Sequence, residues 1–393
     1  MKTAHAAANR SSKAWLLILA AVTLVLGAGQ TARAQITPAA GYTPPDDTPA
    51  IKIGAVIFAD YTYQQKPTTT DPAGNTINPS SFNVARAYIN VTGNISHMIA
   101  FRITPDITRF SQPGNSIDGS LTYRLKYAFM QINLDDWLPK GSWVKLGMQQ
   151  TPFLDSIEGI YRYRFQGTTF AEREGYLASS DLGVTFRTTF PSNYGDVHVG
   201  FYNGEGYSRP EVNSKKAFMA RVGFKPLPRH KILKTWRLQA FWTKDNYMEN
   251  APRERTVFNT TFEHPYLSVG FDYIDTKDKV SSVPTNGVDL YPTLDGKGWS
   301  FWATPKKVFP NGSSIEGLIR YDHMKPGGTA STTAISSPDG LSERWIGGVA
   351  YWFPKQGSVS SALLFDVENV TFSNWTPTKP TQQRVFVHSL ISF

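Results

Sequence analysis

The sequence predicts an all-β protein: a transmembrane antiparallel up-and-down β-barrel of about sixteen strands, entered after a cleaved leader. Three observations predict it. A short apolar run near the amino terminus has the form of an export signal, alternating segments recur from Ile51 to the end, and the connections between them are alternately short and long.

The leader comes first. Lys2, Arg10 and Lys13 precede the apolar run Trp15 to Gly27, and Ala32-Arg33-Ala34 supplies a small-x-small site before Gln35. This reads as a signal peptide over 1–34, since the run is shorter than the ~20 residues of a spanning helix. Removing its four basic residues takes the formal charge of the chain from +9 to +5. That mild balance argues against a nucleic-acid binder with a concentrated basic face. With no cysteine, an exported chain must hold its fold by hydrogen bonds and packing rather than disulfides. Aromatic residues make up 13% and charged residues only 18%, which suits a surface half in lipid and half in water. Residues 35–50, rich in Pro, Thr and Ala, read as a disordered periplasmic lead-in too short for a plug, leaving 51–393 as the barrel.

Alternation is the mark of a strand with one wet and one apolar face. Leu121, Tyr123, Leu125, Tyr127 and Phe129 are read to one side, with Thr122, Arg124, Lys126 and Ala128 to the other. The same pattern runs through Phe218 to Lys225, Trp236 to Thr243, Ser314 to Asp322 and Arg344 to Phe353. Sixteen segments follow: 51–64, 82–93, 97–108, 120–133, 142–153, 181–190, 196–203, 216–225, 235–245, 255–263, 266–276, 298–304, 314–323, 343–353, 358–370 and 384–393. Fourteen or eighteen strands result if 196–203 and 298–304 are read otherwise.

The links after the second, sixth, tenth and fourteenth segments are short, whereas those after the first, eleventh and thirteenth are long and rich in Pro, Gly, Ser and Thr. Short turns at one end and long loops at the other suit a bacterial outer-membrane barrel rather than a soluble sandwich. Tyr123, Trp236, Trp242, Tyr273, Trp299, Tyr321, Trp345 and Tyr351 near the ends of the apolar phase fit aromatic girdles. The last segment alternates Val385, Val387, Ser389, Ile391 and Phe393 against Arg384, Phe386, His388, Leu390 and Ser392. Phe393 ending such a strand resembles the signal read by the barrel-assembly machinery.

With a periplasmic amino terminus, the third external loop falls at Leu154 to Ser180. It mixes Asp155, Glu158, Glu172 and Glu174 with Arg162, Arg164 and Arg173. Position and composition favour folding into the lumen over a surface loop. Gly147-Met148-Gln149-Gln150-Thr151-Pro152-Phe153, then acidic and arginine residues, then Asp181-Leu182-Gly183-Val184, resembles the porin O and P family, the phosphate-selective porins and their relatives. Gly147, Thr151, Pro152, Phe153, Asp181 and Gly183 carry the match, which is most specific over 143–186. The resemblance implies a sixteen-stranded barrel, usually a homotrimer, with the third loop as constriction.

The inward phase offers Arg86, Arg102, Arg124, Lys126 and Lys145 on four successive strands, then Arg187, Arg221 and Arg237. Asp60, Asp245, Asp272, Glu316, Asp322, Asp366 and Glu368 lie mostly on later strands. Like charges are kept close only where an anion or facing carboxylates compensate, so the basic cluster is read as pore lining. The expected activity is passive diffusion of small anionic or neutral hydrophilic solutes across a Gram-negative outer membrane, with a weak anion preference that extends to phosphate through the resemblance.

Two other classes remain open. A surface receptor or adhesin would use the loops 275–297 and 324–342, whose Ser, Thr, Gly and Asp suit a solvated surface. An outer-membrane enzyme would need a constellation that the spacing of Ser96-His97 and His388-Ser389 does not supply. Asp322-His323 is a weak metal pair without further ligands. No phosphate loop, zinc spacing or nucleophile elbow occurs, so no cofactor or metal is expected.

Overall fold

In a computed structural model, the residues described are 47–246, 251–279, 293–330 and 335–393. The leader and most of the lead-in lie outside them. Sixteen antiparallel strands close into one barrel in which each pairs with its sequence neighbours and the last pairs with the first. They are β1 (Ala50–Lys66), β2 (Ser80–Asn94), β3 (Ile99–Arg109), β4 (Leu121–Asn133), β5 (Trp143–Gln150), β6 (Ser180–Thr189), β7 (Gly195–Tyr202) and β8 (Ala217–Phe224). There follow β9 (Arg237–Asn246), β10 (Pro252–His264), β11 (Leu267–Lys279), β12 (Thr293–Val308), β13 (Ser314–Lys325), β14 (Leu341–Trp352), β15 (Ser360–Ser373) and β16 (Gln382–Ser392). All sixteen expected segments are present, including the two whose reading left the count open. Closure leaves no free sheet edge, which is the condition for a sheet to stand in lipid.

The alternation is visible in burial. On β8, Ala217, Met219 and Arg221 face the interior and are buried, while Val222 and Phe224 point outward and are exposed. The outward face carries aromatic ladders at both ends. Phe271, Trp299, Tyr321 and Trp345 succeed one another across four strands near the loops, with centroids 6.2, 5.0 and 4.4 Å apart. Tyr194 with Phe224, and Tyr351 with Phe353, flank the turns. Phe393 follows β16, exchanging 3.0 Å backbone hydrogen bonds with Ala55 in both directions, its ring outward.

One phase assignment is corrected. Tyr127 and Phe129 face the lumen, not the exterior with Leu121, Tyr123 and Leu125. The register between β3 and β4 shifts at Thr104/Pro105, which leaves Lys126 as an extra residue opposite Pro105. Such a bulge reverses the alternation beyond it. Pro105 lacks the N–H that a regular ladder would use there.

At the turn end, His97 in the β2–β3 turn joins the start of the barrel to a neighbouring turn. Its Nδ1 lies 2.6 Å from Asp47, its Nε2 3.0 Å from Asp136, and its backbone N–H donates to Asp47 at 3.1 Å. The bond to Asp47 first, then that to Asp136, raises the His97 pKa above its ordinary 6.5. The contact is therefore fully formed below about pH 6.5 and is lost as pH rises through the raised value. NMR titration of His97 should give a midpoint above 6.5 that falls in Asp47→Asn; an unshifted midpoint would mean that the contact does not persist in solution.

Candidate functional site: the lumen and its inserted loop

The long β5–β6 connection folds into the barrel, as its position led us to expect. Its root is fastened by Thr151, whose hydroxyl donates to Ala178 O at 2.6 Å and whose N–H donates to Ser179 O at 3.3 Å. Pro152 then opens a short helix, α1 (Pro152–Glu158), where its missing N–H costs nothing. A single further turn, α2 (Phe170–Arg173), precedes the return to β6.

Two apolar clusters hold the loop against one side of the barrel. Phe153, Leu154, Ile157, Phe170 and Ala171 pack on inward residues of β7 to β13, among them Tyr202, Met219, Phe241 and Ile274. Tyr161, Tyr163 and Phe165 pack on Trp302, Leu318, Ile346, Trp352, Leu364 and Leu390 of β12 to β16. Glu316 on β13 ties the second cluster, accepting from Arg162 and from the Tyr163 hydroxyl, both at 3.0 Å. Arg162 also lies 3.4 Å over the Trp352 ring, and Arg173 reaches Glu368 at 3.3 Å. Arg162 and Arg173 thus fasten the loop to the wall.

The loop's other face meets β1 to β5, and the lumen remains open there as two cavities placed end to end. The turn-side cavity, of about 610 Å³, is lined by Arg102, Lys126, Asp155, Glu158 and Arg164, with Phe58, Tyr88 and Tyr127. The loop-side cavity, of about 420 Å³, is lined by Asp60, Arg86, Arg109, Arg164 and His388. Phe58, Tyr88 and Arg164 line both, and so stand where the two cavities adjoin. Arg164 is held there by Glu158 at 3.1 Å and by the bond it donates to Glu172. Glu174, just beyond α2, is half-buried, and that burial raises its pKa above its ordinary 4.5.

The eight expected basic side chains all point inward, but they fall into three groups. Arg86 and Arg124 share Asp106, at 2.9 and 2.8 Å. Arg187 and Arg221 share Asp196 nearer the turns, and Arg237 bonds Ser156 of α1 at 3.2 Å. Arg102, Lys126 and Lys145 have no carboxylate within ion-pair distance among the described residues; they lie against aromatic rings instead. Arg102 stands 4.4 Å from the Tyr127 centroid, Lys126 4.8 Å from Tyr88, and Lys145 4.0 Å from Trp143. The turn-side cavity is lined by five cationic side chains, adding Lys52 and Lys355 to Arg102, Lys126 and Arg164, against the carboxylates of Asp155 and Glu158.

The residues that carried the family resemblance build the loop's two roots. Gly147 adopts φ +126°, Phe153 sits in the first apolar cluster, and Asp181 accepts from the N–H of Leu182 and of Gly204, both at 2.7 Å. A Cβ on Gly183 would meet Phe201 O and approach Tyr202 Cα to 2.9 Å.

Asp322 and His323 do not form a metal pair. Adjacent strand residues face opposite ways: Asp322 is buried with Arg320 at 2.8 Å, while the His323 ring stacks outside on Trp299. Ser389 likewise points away from His388 and donates to Ala59 O. No group of three or more acidic, His or Cys side chains able to hold a metal occurs among the described residues.

Residue-by-residue reading missed Asp106, the carboxylate that compensates Arg86 and Arg124, and the aromatic pair Phe58–Tyr88 where the cavities adjoin. The inward phase of β1 already contains Phe58, two residues before Asp60, so its signal was present.

No family model matches the chain, and no curated protein matches it. Among solved structures, it is similar to an anion-selective porin from Comamonas acidovorans at 10% identity and TM-score 0.58, covering 88% of this chain and 100% of that one. It is also similar to OmpT, an outer-membrane protein of Vibrio cholerae, at 9% identity and TM-score 0.55, over 90% and 100% of the two chains. The outer-membrane channel DcaP of Acinetobacter baumannii aligns at 11% identity and TM-score 0.51, over the same shares. At these identities the likeness is one of fold: this chain has the barrel of the outer-membrane porins.

Proposed function

We propose that the chain is an integral outer-membrane channel of a Gram-negative bacterium that lets small hydrophilic solutes and ions diffuse passively, with a weak preference for anions, phosphate among them. The observation that carries this reading is the pair of end-to-end cavities sharing Phe58, Tyr88 and Arg164, with cationic side chains in excess on the turn side. In a narrow lumen with low-dielectric walls such charges act on a passing ion more strongly than in bulk water. The apolar outer face with its aromatic ladders supports contact with lipid, and insertion by the barrel-assembly machinery belongs to the same proposal. A homotrimer is part of the proposal, supported by the porin-type barrel and by a related structure described as a trimer form.

Planar-bilayer recording across a potassium chloride gradient tests it. We expect discrete conductance steps and a reversal potential of anion-selective sign; a barrel closed to ions would give no steps. Arg102→Gln with Lys126→Gln is the informative variant, because substituting Arg86 or Arg124 would also release Asp106. Each lost charge removes about 1 kcal/mol of attraction for a contacting anion even with bulk-water screening. The reversal potential should move toward zero or change sign, and an unchanged value would place both residues off the ion path.

A further inference from the structure

We propose that the turn-side cavity is selective within the anions, favouring organic monocarboxylates with a flat apolar body over inorganic phosphate. The proposal rests on the channel reading above and names the solute class of that same cavity.

The bulge in β4 turns Lys126 and Tyr127 to the lumen side by side. The Lys126 ammonium then lies between two phenol rings, 4.8 Å from the Tyr88 centroid and 5.4 Å from that of Tyr127. Arg102 turns two of its donors to the wall, bonding Thr104 at 2.9 Å and Asn90 at 2.7 Å. Phosphate is bound well where several N–H donors converge on its oxygens. Of the five cations that line the cavity, Arg102 and Lys126 stand against aromatic rings and Arg164 is taken up by Glu158 and Glu172. Phe58 and Val56 continue that wall, against which a strongly hydrated dianion gains nothing. Asp155 and Glu158 face it from the loop and repel a dianion about twice as strongly as a monoanion. A single carboxylate can take the charge of Lys126 while its ring lies against Tyr88 or Tyr127, combining an ion contact with stacking.

The test uses the full channel in planar bilayers, with benzoate, acetate and inorganic phosphate added to both sides during chloride conduction. Benzoate should interrupt the current at concentrations about tenfold lower than acetate or phosphate, the equivalent of one aromatic contact. Tyr88→Leu should bring benzoate to the level of acetate, whereas Lys126→Gln should weaken both alike. Phosphate acting as strongly as benzoate on the unaltered channel would overturn the proposal. So would a benzoate preference that survives in both Tyr88→Leu and Tyr127→Leu. Because the unaltered channel alone ranks the three anions, the decision does not depend on any variant folding. Conductance without a benzoate preference sinks this proposal only, while absence of conductance sinks the channel reading and this proposal with it.

Discussion

The double variant Tyr163→Ala, Phe165→Ala is expected to raise single-channel conductance severalfold while leaving the barrel folded. Both side chains are buried, Tyr163 completely and Phe165 to 3% exposure, against the wall of β12 to β16. Tyr163 stacks on Phe165 at 5.7 Å, and both meet Trp352 edge-on, at 6.0 and 5.8 Å. Truncating one buried aromatic costs about 3–5 kcal/mol in a protein core. Touching residues do not add, so a combined loss on the order of 5 kcal/mol is the reasonable expectation. The Tyr163 hydroxyl also leaves Glu316, which keeps Arg162 and Ser314 as donors at 3.0 and 3.1 Å. The energy falls on docking of the loop and not on the strands, whose ladders close the barrel without it. Once undocked, the loop no longer fills the lumen beside Arg164. Conductance steps and protease cleavage between Tyr161 and Phe170 would report this; unchanged conductance with a cleavable loop would mean that the loop does not limit the current.

That result would bear on what the sequence could reveal. The strand count was legible because each crossing repeats a period of two, and a short turn or polar loop separates each of the sixteen from the next. Insertion of the loop was less legible, although its signal lay in the wall. Trp302, Leu318, Ile346, Trp352, Leu364 and Leu390 occupy the inward phase, where a water-filled lumen has no use for them. Large apolar residues in the wet phase of consecutive strands mean that something inside covers them, and Tyr161, Tyr163 and Phe165 are the match. The charges were harder, since pairing is a property of neighbours across strands. Arg86, Asp106 and Arg124 belong to three strands, and only the register shows that one carboxylate serves two arginines. Tyr127 and Phe129 escaped for a different reason: the extra residue lies on β4 while its mark, Pro105, lies on β3, and every side chain beyond changes face.

The second large effect is expected from Gly147→Val, which should abolish the heat-resistant folded form. Gly147 holds φ +126°, outside the space open to a β-branched residue. A Cβ there would meet Ala128 O on β4 and come within 2.9 Å of Phe129 Cα. On its other side Gly147 pairs with Gly183, so neither strand offers a side chain that could yield. Gln149 lies across this pair, its amide donating to Lys145 O at 3.2 Å and to Gly183 O at 2.8 Å while accepting from the Thr185 hydroxyl. The backbone strain alone costs on the order of 1–3 kcal/mol, and the contacts with Ala128 and Phe129 add to it because they are backbone. Three residues later the chain leaves β5 through Thr151 into the loop, so distortion at Gly147 also moves the loop's root. Gly347→Ala is the control: it lies in β14, and a Cβ there meets nothing within 4 Å. Heat-modified gel migration after refolding should separate the two, Gly347→Ala behaving as the unaltered chain. A heat-resistant Gly147→Val barrel would show that β4 and β5 can part at this point, and the loop would then hold its place by its apolar packing alone.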